Sequence, residues 1–409
     1  MFRAGSALPL ALLMLLVTTA LAAGAFAMSR QASRGGRNAL VEQRALSVAE
    51  YGLNRGIASW DPRLNLAPAP VGTPCTAVGA GGLPVGCASD STIYVPTNTS
   101  YFDTARVLIT RLDPVLYLVE SRGRAQIPNP ELQAARTVSS LVRLAYPTID
   151  PRGAVTAGGD VQLRGNALVD GTDRIPSVEG NTWTSDRCPN TLSNVPSVAT
   201  PPGASVTLQG SALTIGPRVV DPLAGDSNTY VRFGTENWTT LVNNADIILR
   251  GGGSGTIQVP SNIGPVATNG RCDLTGYSNG VQRNWGEPYD GPNAVTACRS
   301  YFPIIYADTN LQLQSNARGQ GILIVNGTLD LRGGFDWAGL IIVRNDIMTG
   351  NGNATVTGAV MARDAVLGDG GSGLNGTQHI LYSRCAIEAA LRGSALLVRV
   401  GERGWAQSY

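Results

Sequence analysis

The amino-acid sequence predicts an α+β protein that is mostly β, with a long N-terminal transmembrane helix, an antiparallel meander and a right-handed parallel β-solenoid-like domain. Three observations support this prediction. Ser6 to Met28 form an uncharged run, short apolar runs separated by turn residues fill the rest of the chain, and segments of 18 or 19 residues repeat near its end. The 409 residues include 50 Gly and 24 Pro but only 15% charged residues, which favours two or three folding units with many short strands.

The uncharged run is long enough to cross a bilayer, because its residues rise about 34 Å as a helix. Three interpretations are open. The helix is retained after cleavage of a short basic leader that ends at Gly5, or it is a secretory signal cut after Ala25–Ala27, or it is an uncleaved anchor. More arginines follow the run than precede it, which taken alone places the body in the cytoplasm. The cysteines and the lack of a cytosolic catalytic motif favour export instead.

Beyond this run the helix is expected to continue to residue 60 as an amphipathic segment. Apolar residues recur there at helical spacing, namely Ala45, Leu46, Val48, Ala49, Leu53 and Ile57. The adjacent Gly35 and Gly36 are expected to loosen the helix between its two parts.

Two sequence blocks resemble a known family. Arg3–Leu13 (RAGSALPLALL) is similar to the N-terminus of PilX-type pilus assembly proteins and K-type minor pseudopilins, and Arg44–Leu53 (RALSVAEYGL) resembles a second block of theirs. The resemblance implies that a prepilin peptidase cleaves between Gly5 and Ser6. It also implies a helix that is embedded in the inner membrane before assembly and packed against other pilins or pseudopilins afterwards.

Two residues of this assembly helix bear on its role. Most pilins have a glutamate at the fifth position of the mature chain, where this sequence has Leu10. The K-type and PilX-like subunits resemble it in this respect, which implies a minor, priming or tip subunit rather than the main fibre subunit. Glu50 lies in the second block, either as a solvated carboxylate or as a contact to a neighbouring subunit.

Residues 61–148 are expected to form a pilin-like antiparallel β unit. Its first part, residues 61–90, is rich in Pro, Gly and Ala and predicts a loop pinned by cysteines. Strands are predicted at 92–95, 105–111, 115–124 and 136–145. The turn at Asp113 and Pro114 makes the second and third an antiparallel hairpin.

Residues 149–390 are expected to form the β-solenoid-like domain, and residues 391–409 a C-terminal tail. Segments 321–338, 339–357 and 358–376 each begin with Gly. Aligned on these glycines, aliphatic residues coincide in three columns: Leu323, Ile341 and Val360; Ile324, Ile342 and Met361; Leu329, Ile347 and Val366. Such columns, with Gly, Asn or Asp at the intervening turn, predict parallel coils that share a core. Residues 150–320 carry the pattern less regularly.

The cysteines favour disulfides, because six of them occur at wide spacing without a CxxC pair. Loop-closure reasoning favours two local bonds and leaves one distant pair. The expected pairs are Cys75–Cys87, Cys272–Cys298 and Cys188–Cys385, although six cysteines allow 15 pairings.

Composition argues against several chemistries. The chain has no lysine, which excludes Schiff-base catalysis and a P-loop lysine. Its net charge of +2 is too small to indicate a nucleic-acid-binding surface. His379 is the sole histidine, so a zinc site built from several histidines cannot form. We expect His379 to be a partly buried structural residue, and we expect no cofactor and no catalytic activity.

Three further sequence patterns could indicate a binding or catalytic site, but each has a simpler structural explanation. The glycines at 368, 370 and 373 match a dinucleotide fingerprint, but no helix pattern follows them. The repeat contains five aspartates, namely Asp330, Asp336, Asp346, Asp364 and Asp369. They could form a calcium site or a carbohydrate-cleaving pair, but turn positions favour Asp for its backbone conformation alone. Four tryptophans could stack on sugars, but packing is the expected role of Trp183, Trp238, Trp285 and Trp337.

Together these features favour a non-catalytic minor pilin-like subunit of a type IV pilus or a related secretion filament. Its expected partners are other pilins, the inner membrane and the prepilin peptidase, with no nucleic acid. The expected location is single-pass in the inner membrane with a periplasmic body, then the pilus or cell surface. The alternative is a secreted or anchored β-solenoid that binds or cleaves a polysaccharide.

Overall fold

The computed structural model describes most of the chain. The described residues are 7–58, 60, 65–66, 91–94, 103–113, 115–126, 133–178, 181–183, 188, 193–234, 236–252, 255–261, 263–278, 281–314, 316–350, 352–367, 377–401 and 405–408. They form one long apolar N-terminal helix and a mostly β remainder, with one antiparallel sheet and two large parallel sheets. This architecture agrees with the α+β, mostly β class predicted from the sequence.

Helix α1 (Ala7–Ala58) is continuous over 52 residues, which corresponds to about 78 Å. Gly35 and Gly36 lie inside it without a break, so the prediction that they loosen the helix is wrong. A glycine inside a helix costs only about 1 kcal/mol relative to alanine. No described atom lies within 4 Å of a Cβ added to either glycine, so no packing forces a bend there.

Residues 41–57 of α1 pack on one face of an antiparallel sheet. Its strands pair in chain order, and they are β1 (Ser91–Tyr94), β2 (Thr104–Asp113), β3 (Leu116–Gln126) and β4 (Gln133–Ala145). Side chains of β2 alternate between buried and half-exposed, as a one-faced sheet requires. The shared core is Ala49, Leu53, Val107, Ile109, Tyr117, Val119, Val138 and Val142.

After β4 the chain enters a body of parallel strands. Its first strands are very short and form two neighbouring layers, with one small antiparallel pair between them. They are β5 (Val155–Ala157), β6 (Val161–Leu163), β7 (Leu168–Asp170), the pair β8 (Ser177–Val178) and β9 (Asn181–Thr182), β10 (Val198–Thr200), β11 (Val206–Leu208), β12 (Leu213–Ile215) and β13 (Arg218–Val220).

Residues 222–243, which we name the crossing segment, then run past the stack. The segment begins with a 3-10 turn, Pro222–Gly225. It continues through α2 (Asn228–Val231), the paired β14 (Arg232–Phe233) and β15 (Glu236–Asn237), and α3 (Trp238–Asn243). A capping box between Asn237 and Thr240 fixes the start of α3.

The second set of parallel strands contains the longest ones of the body. The set comprises β16 (Ile247–Leu249), β17 (Thr256–Val259), the small pairs β18 (Ala267–Thr268) with β19 (Arg271–Cys272) and β20 (Tyr277–Ser278) with β21 (Val281–Gln282), β22 (Ile304–Ala307), β23 (Asn310–Leu313), β24 (Ala317–Val325), β25 (Leu329–Leu331), β26 (Phe335–Val343), β27 (Asp346–Thr349), β28 (Ala354–Ala362), β29 (Asp364–Leu367) and β30 (Gln378–Tyr382). A 3-10 turn, Thr296–Cys298, precedes β22.

The order of strands in the two parallel sheets differs from their order in the chain. One sheet runs β12-β7-β30-β28-β26-β24-β22-β16 and the other β11-β6-β29-β27-β25-β23-β17. The chain therefore enters the stack near one end, passes to the far end through the crossing segment, and returns layer by layer. On its return, β28 and β29 pair with β5 and β6.

The repeat predicted from the sequence has the expected register over most of its length. Leu323 pairs with Ile341 and Ile341 with Val360, while Ile342 lies between Ile324 and Met361. The predicted position of Val366 is wrong, because Ile347 pairs with Ala365. The third repeat has one residue fewer between its glycine and this strand, so an alignment on the glycines is shifted there by one residue.

The C-terminal residues do not form the predicted tail. Helix α4 (Arg384–Gly393) packs on β24, β26 and β28, with Ser383 as its N-cap. Strands β31 (Leu396–Arg399) and β32 (Trp405–Ser408) then pair with β4, antiparallel. The free edge of β4 presents unpaired backbone groups, and these strands satisfy them. The parallel body is thus inserted between β4 and β31 of one sheet.

Two disulfides lie in the described residues. Cys272 bonds to Cys298, and Cys188 bonds to Cys385 at the start of α4. Cys75 and Cys87 lie outside the described residues. The Cys188–Cys385 bond closes a loop of 197 residues and ties α4 to the first layers of the body.

The stacked register generates a stability prediction. Ile342 is fully buried between two layers, whereas Arg344 is exposed two residues later. Ile342→Asp places an unpartnered carboxylate in the core, so we expect a loss of several kcal/mol from a total of about 5–15 kcal/mol. Arg344→Asp is expected to change the free energy of unfolding by no more than about 0.5 kcal/mol. Thermal melts check this, and equal melting of both variants would contradict the register.

The disulfides generate a second prediction. We expect exported protein to contain at least two disulfides, each contributing about 2–4 kcal/mol to the free energy of unfolding. Alkylation of non-reduced protein followed by mass spectrometry counts the unreacted cysteines. Six alkylated cysteines would refute the prediction and indicate a cytoplasmic location.

Candidate assembly surface

The first half of α1 projects from the rest of the protein and is strongly apolar. Its large side chains are exposed, from 49% for Val17 to 77% for Leu8. They are Leu8, Leu10, Leu12, Leu13, Met14, Leu15, Leu16, Val17, Leu21, Phe26 and Met28. Within the described residues, α1 is the one helix that is long and apolar enough to cross a membrane. This surface requires lipid or other helices to cover it.

The charge pattern of α1 changes abruptly after this apolar part. Arg30, Arg34 and Arg37 follow it, and Arg30 lies over the ring of Phe26 at 4.5 Å from its centroid. No acidic residue precedes Glu42 in the sequence. The helix therefore passes from an uncharged segment to a basic one and then to the segment that packs on the sheet.

Glycines allow the lower half of α1 to lie very close to the sheet. A Cβ at Gly123 of β3 would lie 2.3 Å from the carbonyl oxygen of Ala45 and 2.3 Å from the amide nitrogen of Ala49. A Cβ at Gly52 of α1 would lie 2.4 Å from the Cβ of Ala105. These distances leave no room for a side chain, so backbone packs against backbone at Gly123.

Two ion pairs fix the rotation of α1 on the sheet. Arg44 Nε lies 2.7 Å from Asp103 Oδ2, and the Asp103 side chain is only 1% exposed. Arg136 of β4 contacts Glu42 at 2.7 Å with its guanidinium. Loss of Arg44 would leave a buried carboxylate without this partner, which makes the first pair important for stability.

The opposite face of this lower half is exposed and polar. It presents residues at helical spacing, namely Gln43, Ser47, Glu50, Tyr51 and Asn54. Asn54 accepts a hydrogen bond from Arg399 of β31. The remaining residues of this face continue the exposed surface that begins at Leu8, so α1 offers one long accessible side.

The candidate residues named from the sequence lie in different parts of the structure. Leu10 and Glu50 both lie on exposed parts of α1, whereas Gly5 and Ser6 lie outside the described residues. His379 is half-buried in β30, where burial lowers its pKa and the charge of Arg174 lowers it further.

The candidate aspartates of the repeat make local contacts. Asp330 accepts from Arg332 at 2.8 Å, Asp336 accepts from the Tyr289 hydroxyl at 2.7 Å, and Asp346 and Asp364 both bind Arg363. Asp369 and the glycines at 368, 370 and 373 lie outside the described residues. Among the described side chains, no group of three His, Cys, Asp or Glu is placed to hold a metal ion.

Three of the four tryptophans considered as sugar-stacking candidates lie in the core. Trp183, Trp285 and Trp337 are each at most 3% exposed. Trp238 is half-buried and faces an open cleft between the crossing segment and the stack. Sequence reasoning missed this cleft, because its lining comes from separate chain segments, at residues 158, 225–239, 344 and 363.

Comparisons with known proteins yield only distant structural similarity. No family model matches the chain, and no curated protein matches it. Among solved structures, the competence-associated pilin ComZ from Thermus thermophilus is similar over 90% of this chain and 97% of its own, with 12% identity and a TM-score of 0.25. The geometry of the chain itself therefore carries the functional argument.

The close approach at Gly123 generates a prediction about the attachment of α1. Gly123→Ala forces α1 away from β3, because the new Cβ would overlap the helix backbone. We expect a loss of about 1–3 kcal/mol in the free energy of unfolding. Gly35→Ala is the matched control, since its Cβ meets no described atom within 4 Å. Chemical denaturation of both variants checks this, and a Gly123→Ala midpoint equal to the parent would contradict it.

Proposed function

We propose that this chain is a non-catalytic minor pilin-like subunit of a type IV pilus or a related secretion filament. In this proposal α1 anchors the chain in the inner membrane as a single span and then packs against the helices of other pilins or pseudopilins. The β-rich body lies in the periplasm before assembly and on the pilus or cell surface afterwards.

The observation that carries the proposal is the division of α1 into two parts. Its lower half packs on an antiparallel sheet, and its upper half projects with an uncharged, exposed apolar surface. A helix in a water-soluble monomer would bury such a surface against its own core. A projecting helix of this kind suits a protein that exchanges a bilayer for a bundle formed with the helices of other pilins or pseudopilins.

The proposal of a minor subunit, rather than the main fibre subunit, is supported by Leu10. If the chain is cleaved after Gly5, Leu10 is the fifth residue of the mature protein, where most pilins have a glutamate. Leu10 is 61% exposed and lies in the uncharged part of α1. A subunit without that carboxylate suits a priming or tip position, and its large body also favours an end of the fibre over a repeated position along it. Glu50 and its exposed neighbours on α1 then contact the adjacent subunit.

We also propose that the parallel body is a right-handed β-solenoid. The support is its register, since equivalent residues pair layer upon layer at intervals of 18 or 19 residues, as Ile304 with Ile322, Ile322 with Leu340 and Leu340 with Ala359. The two large parallel sheets follow the same layer order. A stack of this kind is stiff along its axis, which suits a displayed body.

The processing of the N-terminus tests the proposed function. We expect a mature chain that begins at Ser6, because the leader is short, basic and ends in glycine. Mass spectrometry of protein from a host that has a prepilin peptidase measures the mature end, and a host without the enzyme is the control. A chain that starts at Met28 would overturn the assembly role and promote the secreted alternative.

A further inference from the structure

An open cleft of about 930 Å³ lies between the crossing segment and the corners of the stack. The corners contribute Gly158, Arg344 and Arg363, which follow β5, β26 and β28. The crossing segment contributes Tyr230 and Trp238, together with the polar residues Ser227, Asn237 and Thr239. Cavities of this size hold small organic ligands or a few sugar rings.

The two aromatic side chains of the cleft are held in place. Trp238 is half-buried, begins α3 and packs against the main hydrophobic core. Tyr230 also packs on that core, and its hydroxyl donates to the carbonyl oxygen of Ala224 at 2.7 Å. Both side chains therefore pack on the core and also line the cleft, so a ligand bound there meets aromatic side chains that are already held in place.

The two corner arginines are already paired within the protein. Arg363 donates to Asp346 at 2.8 Å and to Asp364 at 3.2 Å, and Arg344 donates to Asn326 at 2.8 Å. Both arginines remain exposed. The carboxylates of Asp346 and Asp364 compensate the charge of Arg363, whereas the Asn326 amide that holds Arg344 is neutral, and a third arginine, Arg232, also lines the cleft. Two carboxylates thus offset part of the charge of three guanidinium groups. The N–H groups of Arg344 and Arg363 that these contacts leave over are directional hydrogen-bond donors.

We propose that this cleft binds an uncharged oligosaccharide. Sugar rings present apolar C–H faces that stack on the rings of Trp238 and Tyr230. Their hydroxyl groups both donate and accept, which matches the arginine N–H groups and the side chains of Ser227, Asn237 and Thr239. The inference goes beyond the assembly role of α1 and does not depend on it.

The lining favours binding over cleavage. Glycoside hydrolysis takes two carboxyl groups that flank the scissile bond. The described residues that line the cleft include no Asp or Glu, and the carboxylates that contact a lining residue, Asp346 and Asp364, are engaged by Arg363. The cleft is therefore assigned to recognition.

The test is binding by the full chain in detergent. A printed array of neutral and acidic oligosaccharides identifies the bound sugar, and titration calorimetry with that sugar measures its Kd. We expect a neutral oligosaccharide of two to four rings to bind with Kd below about 1 mM. We expect Trp238→Ala to weaken it by about tenfold, the loss of one aromatic stacking contact.

A matched control and a second variant keep the result interpretable. Tyr277→Ala removes an aromatic side chain that is 65% exposed and lies outside the cleft, so its Kd is expected to stay within about twofold of the parent. Thr239→Trp fills the cleft without removing a core contact and is expected to abolish binding. Absence of binding to any neutral sugar, salt-sensitive binding to acidic sugars alone, or unchanged binding by folded Thr239→Trp would each overturn the inference.

Discussion

A long apolar helix surface is unfavourable in water, and the rest of this structure depends on that constraint. Eleven large apolar side chains between Leu8 and Met28 are exposed. Fully burying one of them is worth about 1.5–3 kcal/mol, so covering all eleven outweighs the net stability of a typical domain, about 5–15 kcal/mol. The environment of α1, whether a bilayer or a bundle of neighbouring helices, therefore dominates the energetics of the whole chain.

The same helix also determines how the body is held. Close packing at Gly52 and Gly123 and the Arg44–Asp103 pair fix α1 on the sheet. Next to it, the Trp60 indole donates to Asn65, whose amide donates to the backbone of Gly393 and Ala395 at the end of α4. Contacts thus run without a gap from α1 to the parallel body, so the orientation of the helix in a membrane or fibre determines the orientation of the body.

The repeat and the antiparallel strands were predictable, because each follows from local patterns. Aliphatic residues of adjacent layers share a column, and alternation along 105–111 and 115–124 matches β2 and β3. The shift at Ala365 was not predictable from glycine spacing, because a corner can lose one residue without changing the strands. The order of layers was not predictable either, since nothing local in 155–170 indicates that β5 pairs with β28.

The order of layers in the stack explains how α1 and the cleft are connected in the fold. The chain leaves the antiparallel sheet after β4 and rejoins it at β31. Between these two strands it must build the layers at both ends of the stack. The crossing segment makes this passage on the outside of the stack. Its path lays Tyr230 and Trp238 against corners that carry Arg344 and Arg363. The cleft is thus a consequence of inserting a stack between two strands of the sheet that anchors α1.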